Sequence, residues 1–210
     1  GGIEALISQF DRPAKSPDEL LASFEAQGVP GESGVNGWVN IAGALLQAVN
    51  DAGAGAPENL KRAAVVDLDV HQGNGTAAIF AGDPDTFTFS MHQADIYPEV
   101  KNRSSLDVEL LPGTGDAEYY DKLRHGLKAV MDFKPELIVY QAGVDVWERD
   151  QLGGLSLTER GILDRDTAVR EACLLHRVPV AVTLGGGYGP APEDTARLHA
   201  ATLKLFARMS

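Results

Sequence analysis

The sequence predicts a three-layer α/β/α domain built on a mainly parallel sheet. Short, nearly continuous apolar runs alternate with amphipathic stretches through most of the 210 residues. Val65, Val66, Ile138, Val139, Val180 and Val182 sit in such runs, which suit strands buried on both faces and covered by helices. Polar residues and glycines of unusual pattern collect just after these runs, where open α/β sheets hold their ligands. With 44% hydrophobic content, the chain is long enough to bury one sizeable core.

The elements follow in order. Residues 1–36 read as a peripheral arm, with a short helix over 17–26 and then a Gly/Ser/Pro/Val stretch over 28–34 that has little power to build a core. The α/β domain proper is expected over 37–210. A helix is predicted over 37–49, followed by a small-residue loop over 51–57. Strands are predicted over 63–68, 86–91, 137–141 and 178–184. Helices are predicted over 117–132, 158–175 and 191–209, each with apolar residues at mixed i+3 and i+4 spacing. After the first strand the glycines of His71-Gln72-Gly73-Asn74-Gly75 read as a turn. There is no internal repeat.

Charge and cysteine content narrow the function classes. A formal net charge of −12 disfavours nucleic acid and anionic membranes, because phosphates are repelled. It suits a cationic or neutral substrate. Cys173 is the one cysteine, which excludes an internal disulfide and a thiolate zinc framework. No apolar run approaches the ~18 residues of a membrane span, and no signal-peptide pattern opens the chain, so a cytoplasmic location is expected.

Three segments carry chemistry. In Val65-Val66-Asp67-Leu68-Asp69-Val70-His71, alternate side chains of an extended chain point the same way. Asp67, Asp69 and His71 can therefore converge, and carboxylate plus imidazole is a donor set that a divalent metal accepts. The second segment, Gln141-Ala142-Gly143-Val144-Asp145, places a carboxylate after a buried strand and a glycine. The third, Leu184-Gly185-Gly186-Gly187-Tyr188, turns tightly and presents a tyrosine above the sheet. Taken singly, Asp145 reads as a helix cap, the glycines as a turn and Tyr188 as a packed aromatic. Their joint occurrence at strand ends points to a metal site.

These segments, written out as DLDVHQGNGT, SMHQADIYP, PGTGD, YQAGVDVWERDQLGGLSLT and LGGGY, resemble in order and spacing the zinc-dependent histone deacetylase and acetylpolyamine amidohydrolase family. HQGNG paired with D-x-L-G-G-L-S is most similar to its class IV and bacterial members. The resemblance runs from about residue 37 to the end, and it implies an arginase/deacetylase-like fold. It implies a zinc-dependent amidohydrolase that removes acyl groups from acetylated lysine or acetylpolyamine by metal-activated water. By the same resemblance Asp69, His71 and Asp145 are the zinc ligands, and Tyr188 donates a hydrogen bond to the developing oxyanion. Asp67 and Asn74 orient a histidine pair. A potassium ion is held by Asp67, Ser90 and carbonyls around Asp69, His71 and Met91. The resemblance also implies that Ile96, Tyr97, Gly143, Gly186 and Gly187 line the acyl-lysine channel; His92 falls near the channel rim, where a functional and a structural reading stand side by side.

One family feature is missing. The family carries a tandem His-His, one member of which is the general acid or base, upstream of the region matching 37–49. The five histidines here are His71, His92, His125, His176 and His199, and no two are adjacent. Gly1-Gly2-Ile3 resembles the start of that motif, but Glu4-Ala5 follows. The chain therefore reads as N-terminally abbreviated relative to the family. The alternative to catalysis is a degenerate zinc- or acyl-lysine-binding member, or a truncated fragment lacking the general base. An arginase-like binuclear manganese hydrolase ranks last, because Gly73 and Trp147 stand where further carboxylates are wanted. His125, His176 and His199 are expected on helix surfaces, and Trp147 and Asp150 in loop packing and capping. The oligomeric state is left open.

Overall fold

A computed structural model describes residues 60–207. The predicted helices over 17–26 and 37–49, the loop over 51–57 and the peripheral arm lie outside the described residues.

Among the described residues, five strands form one parallel sheet: β1 (Ala63–Asp67), β2 (Thr86–Gln93), β3 (Leu106–Leu110), β4 (Leu137–Ala142) and β5 (Val180–Leu184). Their order across the sheet is β3-β2-β1-β4-β5. All five residues of β1 are buried, as is expected of a central strand with both faces covered. Val66 lies level with Phe89 of β2 and Tyr140 of β4, and Asp67 lies level with Ser90 and Gln141. The chain moves outward from β1 through β2 to β3, then crosses back to place β4 on the other side of β1. The carboxyl ends of β1 and β4 therefore flank the point where the winding reverses, and such a point opens a crevice for ligands.

The helices are α1 (Asn74–Ile79), α2 (Asp116–Asp132), α3 (Glu159–His176) and α4 (Pro192–Phe206). α3 packs against both α2 and α4, α2 rests on β2 and β3, and α4 touches β5. Helix α2 turns Tyr119, Leu123, Leu127 and Val130 inward, a 3–4 spacing that makes one apolar stripe. Thr158 caps α3 by accepting the Gly161 N–H at 3.0 Å. Pro192 opens α4, where a missing N–H costs nothing.

Sequence and structure differ in three places. The Gly73-Asn74-Gly75 stretch does not stay a turn but starts α1, whose first helical bond closes as the Ala77 N–H reaches the Gly73 carbonyl. Strand β3 was not expected: Leu106-Asp107-Val108-Glu109-Leu110 is an edge strand with a single fully buried residue, and its charges hide the signal. His199, expected on a helix surface, is half-buried. Its Nδ1 is buried without a hydrogen-bond partner, whereas His125 is well exposed.

Candidate metal centre

The end of β1 and the end of β4 deliver the three predicted ligands to one place. Beyond Asp67 the chain leaves the strand and bends over residues 69–71, with the Asp69 N–H on Asp67 Oδ1 and the His71 N–H on Asp69 Oδ1. Asp69 and His71 come together through these turns and not through a continued extended strand. Donor atoms of Asp69, His71 and Asp145 all lie within 4.8 Å of one another. His71 Nδ1 is 3.1 Å from Asp69 Oδ1 and 3.4 Å from Asp145 Oδ2. The other oxygens of the carboxylates are tied to the main chain. Val70 N–H donates to Asp145 Oδ1 at 2.9 Å, and Gly186 N–H to Asp69 Oδ2 at 2.9 Å. The β5 glycine turn is thus locked to the β1 ligand loop, and Val144 N–H reaches the Gly186 carbonyl at 2.8 Å to close the ring of segments.

Glycine is required at two points here. A Cβ on Gly143 would run into the Asp69 carboxylate, and one on Gly186 into the Asp145 carboxylate. The local reason for Gly143 is thus room for a ligand side chain.

Charge in this corner is unbalanced. Burial, with the negative Asp69 beside it, pushes Asp145 up to about 7. Hydrogen bonds to Asp145 and Asp69 push His71 up to about 10. Burial works against ionised Asp69, but the His71 ring, the His71 N–H and the Gly186 N–H together hold its carboxyl below the ordinary value. Asp67 is driven well above the ordinary carboxylate range by burial and by Asp69, and its Oδ1 accepts the Asp69 N–H at 3.1 Å. Two carboxylates facing one imidazole, with a third carboxyl behind, make a corner that favours added positive charge. Carboxylates with an imidazole suit a divalent ion such as zinc, and three protein donors leave coordination positions open.

The remaining candidates take varied places. Ser90 sits level with Asp67, and its Oγ pairs with His92 Nδ1 at 2.9 Å and lies 3.4 Å from the Gly73 N–H. His92 is wholly buried in the sheet and burial holds its pKa below the ordinary value, so its ring lies in the core and not at an open rim. Asn74 begins α1, where its carbonyl accepts from Asn102 Nδ2 at 3.0 Å. Ile96 packs on the core. Tyr97 and Tyr188 are each 61% exposed. Tyr188 is placed through its main chain, its N–H on Asp150 Oδ2 at 2.6 Å and its carbonyl accepting Gln151 N–H at 2.9 Å. Asp150 also takes the Leu152 and Gly153 N–H groups, and Trp147 is buried. Both are loop-building residues, as expected.

Sequence reasoning missed the residues that hold these loops. Gln93 Oε1 accepts the Gly154 N–H at 2.8 Å, and Gln72 pins the 102–107 loop through Asn102 and Asp107. Arg165 and Asp166, charged and buried on α3, also went unnoticed. The signal was present: they stand on the face marked by Ile162, Val169 and Cys173, at helical spacing.

The histone deacetylase domain matches residues 42–205, and the chain belongs to this family. An uncharacterised protein of Picosynechococcus sp. is 44% identical over 140 residues, covering 66% of this chain and 47% of that protein. An acetylpolyamine amidohydrolase of Mycoplana ramosa is 28% identical over 169 residues, covering 74% and 46%. Among solved structures, the HDA15 HD domain aligns with a TM-score of 0.61 at 26% identity, over 79% of this chain and 50% of the other. The chain spans about half the length of the relatives it matches.

Proposed function

We propose that this chain carries the metal centre of a zinc-dependent amidohydrolase that removes acyl groups from acetylated lysine or an acetylpolyamine. The convergence of Asp69, His71 and Asp145 at the sheet's switch point carries this reading. Those three residues would hold the zinc. When bound there, zinc polarises the acyl carbonyl and lowers the pKa of a water molecule.

The chain's own groups do the rest. The Gly186 N–H and the His71 N–H fix the two oxygens of Asp69, and the Val70 N–H fixes Asp145. The donor set is thus oriented before any ligand arrives, which spares reorganisation. Tyr188 would give a hydrogen bond to the oxyanion, a role worth several kcal/mol in comparable sites. Ile96 and Tyr97 would flank the acyl chain, with Gly143, Gly186 and Gly187 around its inner end. A net charge of −12 favours amine carriers bearing positive charge. A potassium ion beside Asp67 and Ser90 would relieve the burden that burial places on Asp67.

The experiment is a paired one. Zinc-loaded protein is assayed with a fluorogenic acetyl-lysine and an acetylpolyamine, and hydroxamate binding is measured on the same sample. Turnover supports the deacylase. Hydroxamate binding with retained zinc but no turnover would assign the chain a binding role in its place.

A further inference from the structure

Behind the metal centre lies a second cluster of buried ionisable groups that the proposed chemistry does not use. Arg165 of α3 is fully buried and Asp166 nearly so. Arg165 Nε donates to Asp166 Oδ1 at 2.8 Å. Asp166 is satisfied further by Tyr140 OH on Oδ1 and Thr202 Oγ1 on Oδ2, each at 2.6 Å. The carboxylate therefore gathers α3, β4 and α4 around the guanidinium.

The remaining reach of Arg165 goes to the ligand loops. Its Nη1 donates to the Gly143 carbonyl at 2.5 Å and approaches the Leu68 carbonyl at 3.4 Å. Leu68 immediately precedes Asp69, and Gly143 lies two residues before Asp145. One nitrogen thus bridges the two strand ends that bear the carboxylate ligands, from the side facing the core. Among the described residues no main-chain N–H outside the named helices and strands reaches either carbonyl. A buried carbonyl without a donor is costly, and a fixed planar guanidinium holds two acceptors at a set separation better than a flexible ammonium does.

We propose that Arg165 is a positioning residue for the metal centre: by bridging the Leu68 and Gly143 carbonyls it sets the separation of Asp69 and Asp145 that lets them share one ion. Asp166, Tyr140 and Thr202 hold Arg165 in that place. The inference rests on the metal-centre reading above. Partners one shell beyond the ligands typically change metal affinity by about 10–100-fold.

The test measures zinc affinity by competition with a chromophoric chelator, and the visible spectrum of the cobalt-substituted protein, in parent, Arg165→Met, Arg165→Lys, Asp69→Ala and Leu127→Ala. Leu127 is buried in α2, away from the site, and controls for general loss of stability. Arg165→Met is expected to weaken zinc binding by about tenfold or more, Leu127→Ala to stay within about twofold of the parent, and Arg165→Lys to fall between. Zinc affinity in Arg165→Met within about twofold of the parent, while Asp69→Ala has lost the metal, overturns the positioning role and leaves the metal centre standing. An equal loss in Leu127→Ala also overturns it. If Arg165→Met does not fold, Arg165→Lys decides: shifted cobalt bands support the bridge, and bands superimposable on the parent's overturn it. A parent that binds no zinc overturns the metal-centre reading itself, and this proposal with it.

Discussion

Two clusters of buried charge lie one above the other in this domain, and they are built on opposite rules. The Arg165–Asp166 pair is balanced: one cation faces one anion, and the carboxylate accepts from Tyr140 and Thr202 as well. Asp69, His71 and Asp145 are unbalanced, with two carboxylates sharing one imidazole Nδ1. Burying charge is tolerated when it is paired and hydrogen-bonded. The lower cluster meets that condition within the chain and so reads as scaffold. The upper one is not paired in that way, and its donor set could hold a metal ion.

The largest effect is expected from breaking the upper cluster. Asp145→Ala removes a donor that is 2% exposed and should reduce zinc from stoichiometric to background in a metal analysis of purified protein. Unchanged zinc content would remove the distinction between the two clusters, since the upper one would then not be the metal centre. Melting temperature should move little in the metal-free protein, because the lost carboxylate is one that burial and Asp69 already penalise.

Breaking the lower cluster should do the reverse. Asp166→Ala leaves Arg165 buried without its counter-charge, and loss of one partner of a buried pair costs about 3–5 kcal/mol. Urea unfolding of the metal-free protein reads this directly. A cost below about 1 kcal/mol would mean that the pair is not the scaffold its bonding to Tyr140 and Thr202 suggests.

Tyr188 offers a sharper contrast within the upper site. Its side chain is 61% exposed, so Tyr188→Phe should leave stability and zinc content alone. In an active protein the same change should lower kcat by about 10²–10³-fold, the usual cost of losing one oxyanion donor. A kcat that stays within about twofold would take the tyrosine out of the proposed chemistry.

How much of this was legible in the sequence differs between the same two clusters. The candidate ligands stand where a strand pattern runs into Asp67-Leu68-Asp69-Val70-His71; the alternation marked the segment, but the chain bends over residues 69–71 and does not stay extended. Asp145 was legible because a glycine and a carboxylate end another apolar run. The strands over 63–68 and 137–141 were legible from their nearly continuous apolar runs, and the strand over 86–91 from the alternation of Phe87, Phe89 and Met91 with polar residues. Arg165 and Asp166 were hidden, since a charged residue in a helix is ordinarily read as solvated. Only the apolar positions at 3–4 spacing around them tell which face they occupy. Strand β3 was hidden by Asp107 and Glu109, whose side chains an edge strand can carry. The 59 residues before Leu60 contain the predicted arm and first helix, whose readings rest on the sequence.

His199 joins the two clusters and gives the smallest expected effect. It lies on α4 with its Nδ1 buried and unpartnered, and it was expected at the surface. Burial first, then the Arg165 charge, hold its pKa below the ordinary 6.5, while Asp166, the Gly185 main chain and Asp69 oppose them. The folded pKa is thus lower than the unfolded one. Folding then keeps the ring neutral where the unfolded chain would protonate it, so stability is full above pH 6.5 and falls as pH drops through that window. His199→Gln should flatten this acid limb. The difference in urea midpoint between neutral and mildly acidic buffer should shrink relative to the parent, by less than the Asp166→Ala effect. An acid limb of unchanged steepness would show that the protons taken up on unfolding belong to other groups. The scaffold cluster would then extend its charge no further than the Arg165–Asp166 pair itself.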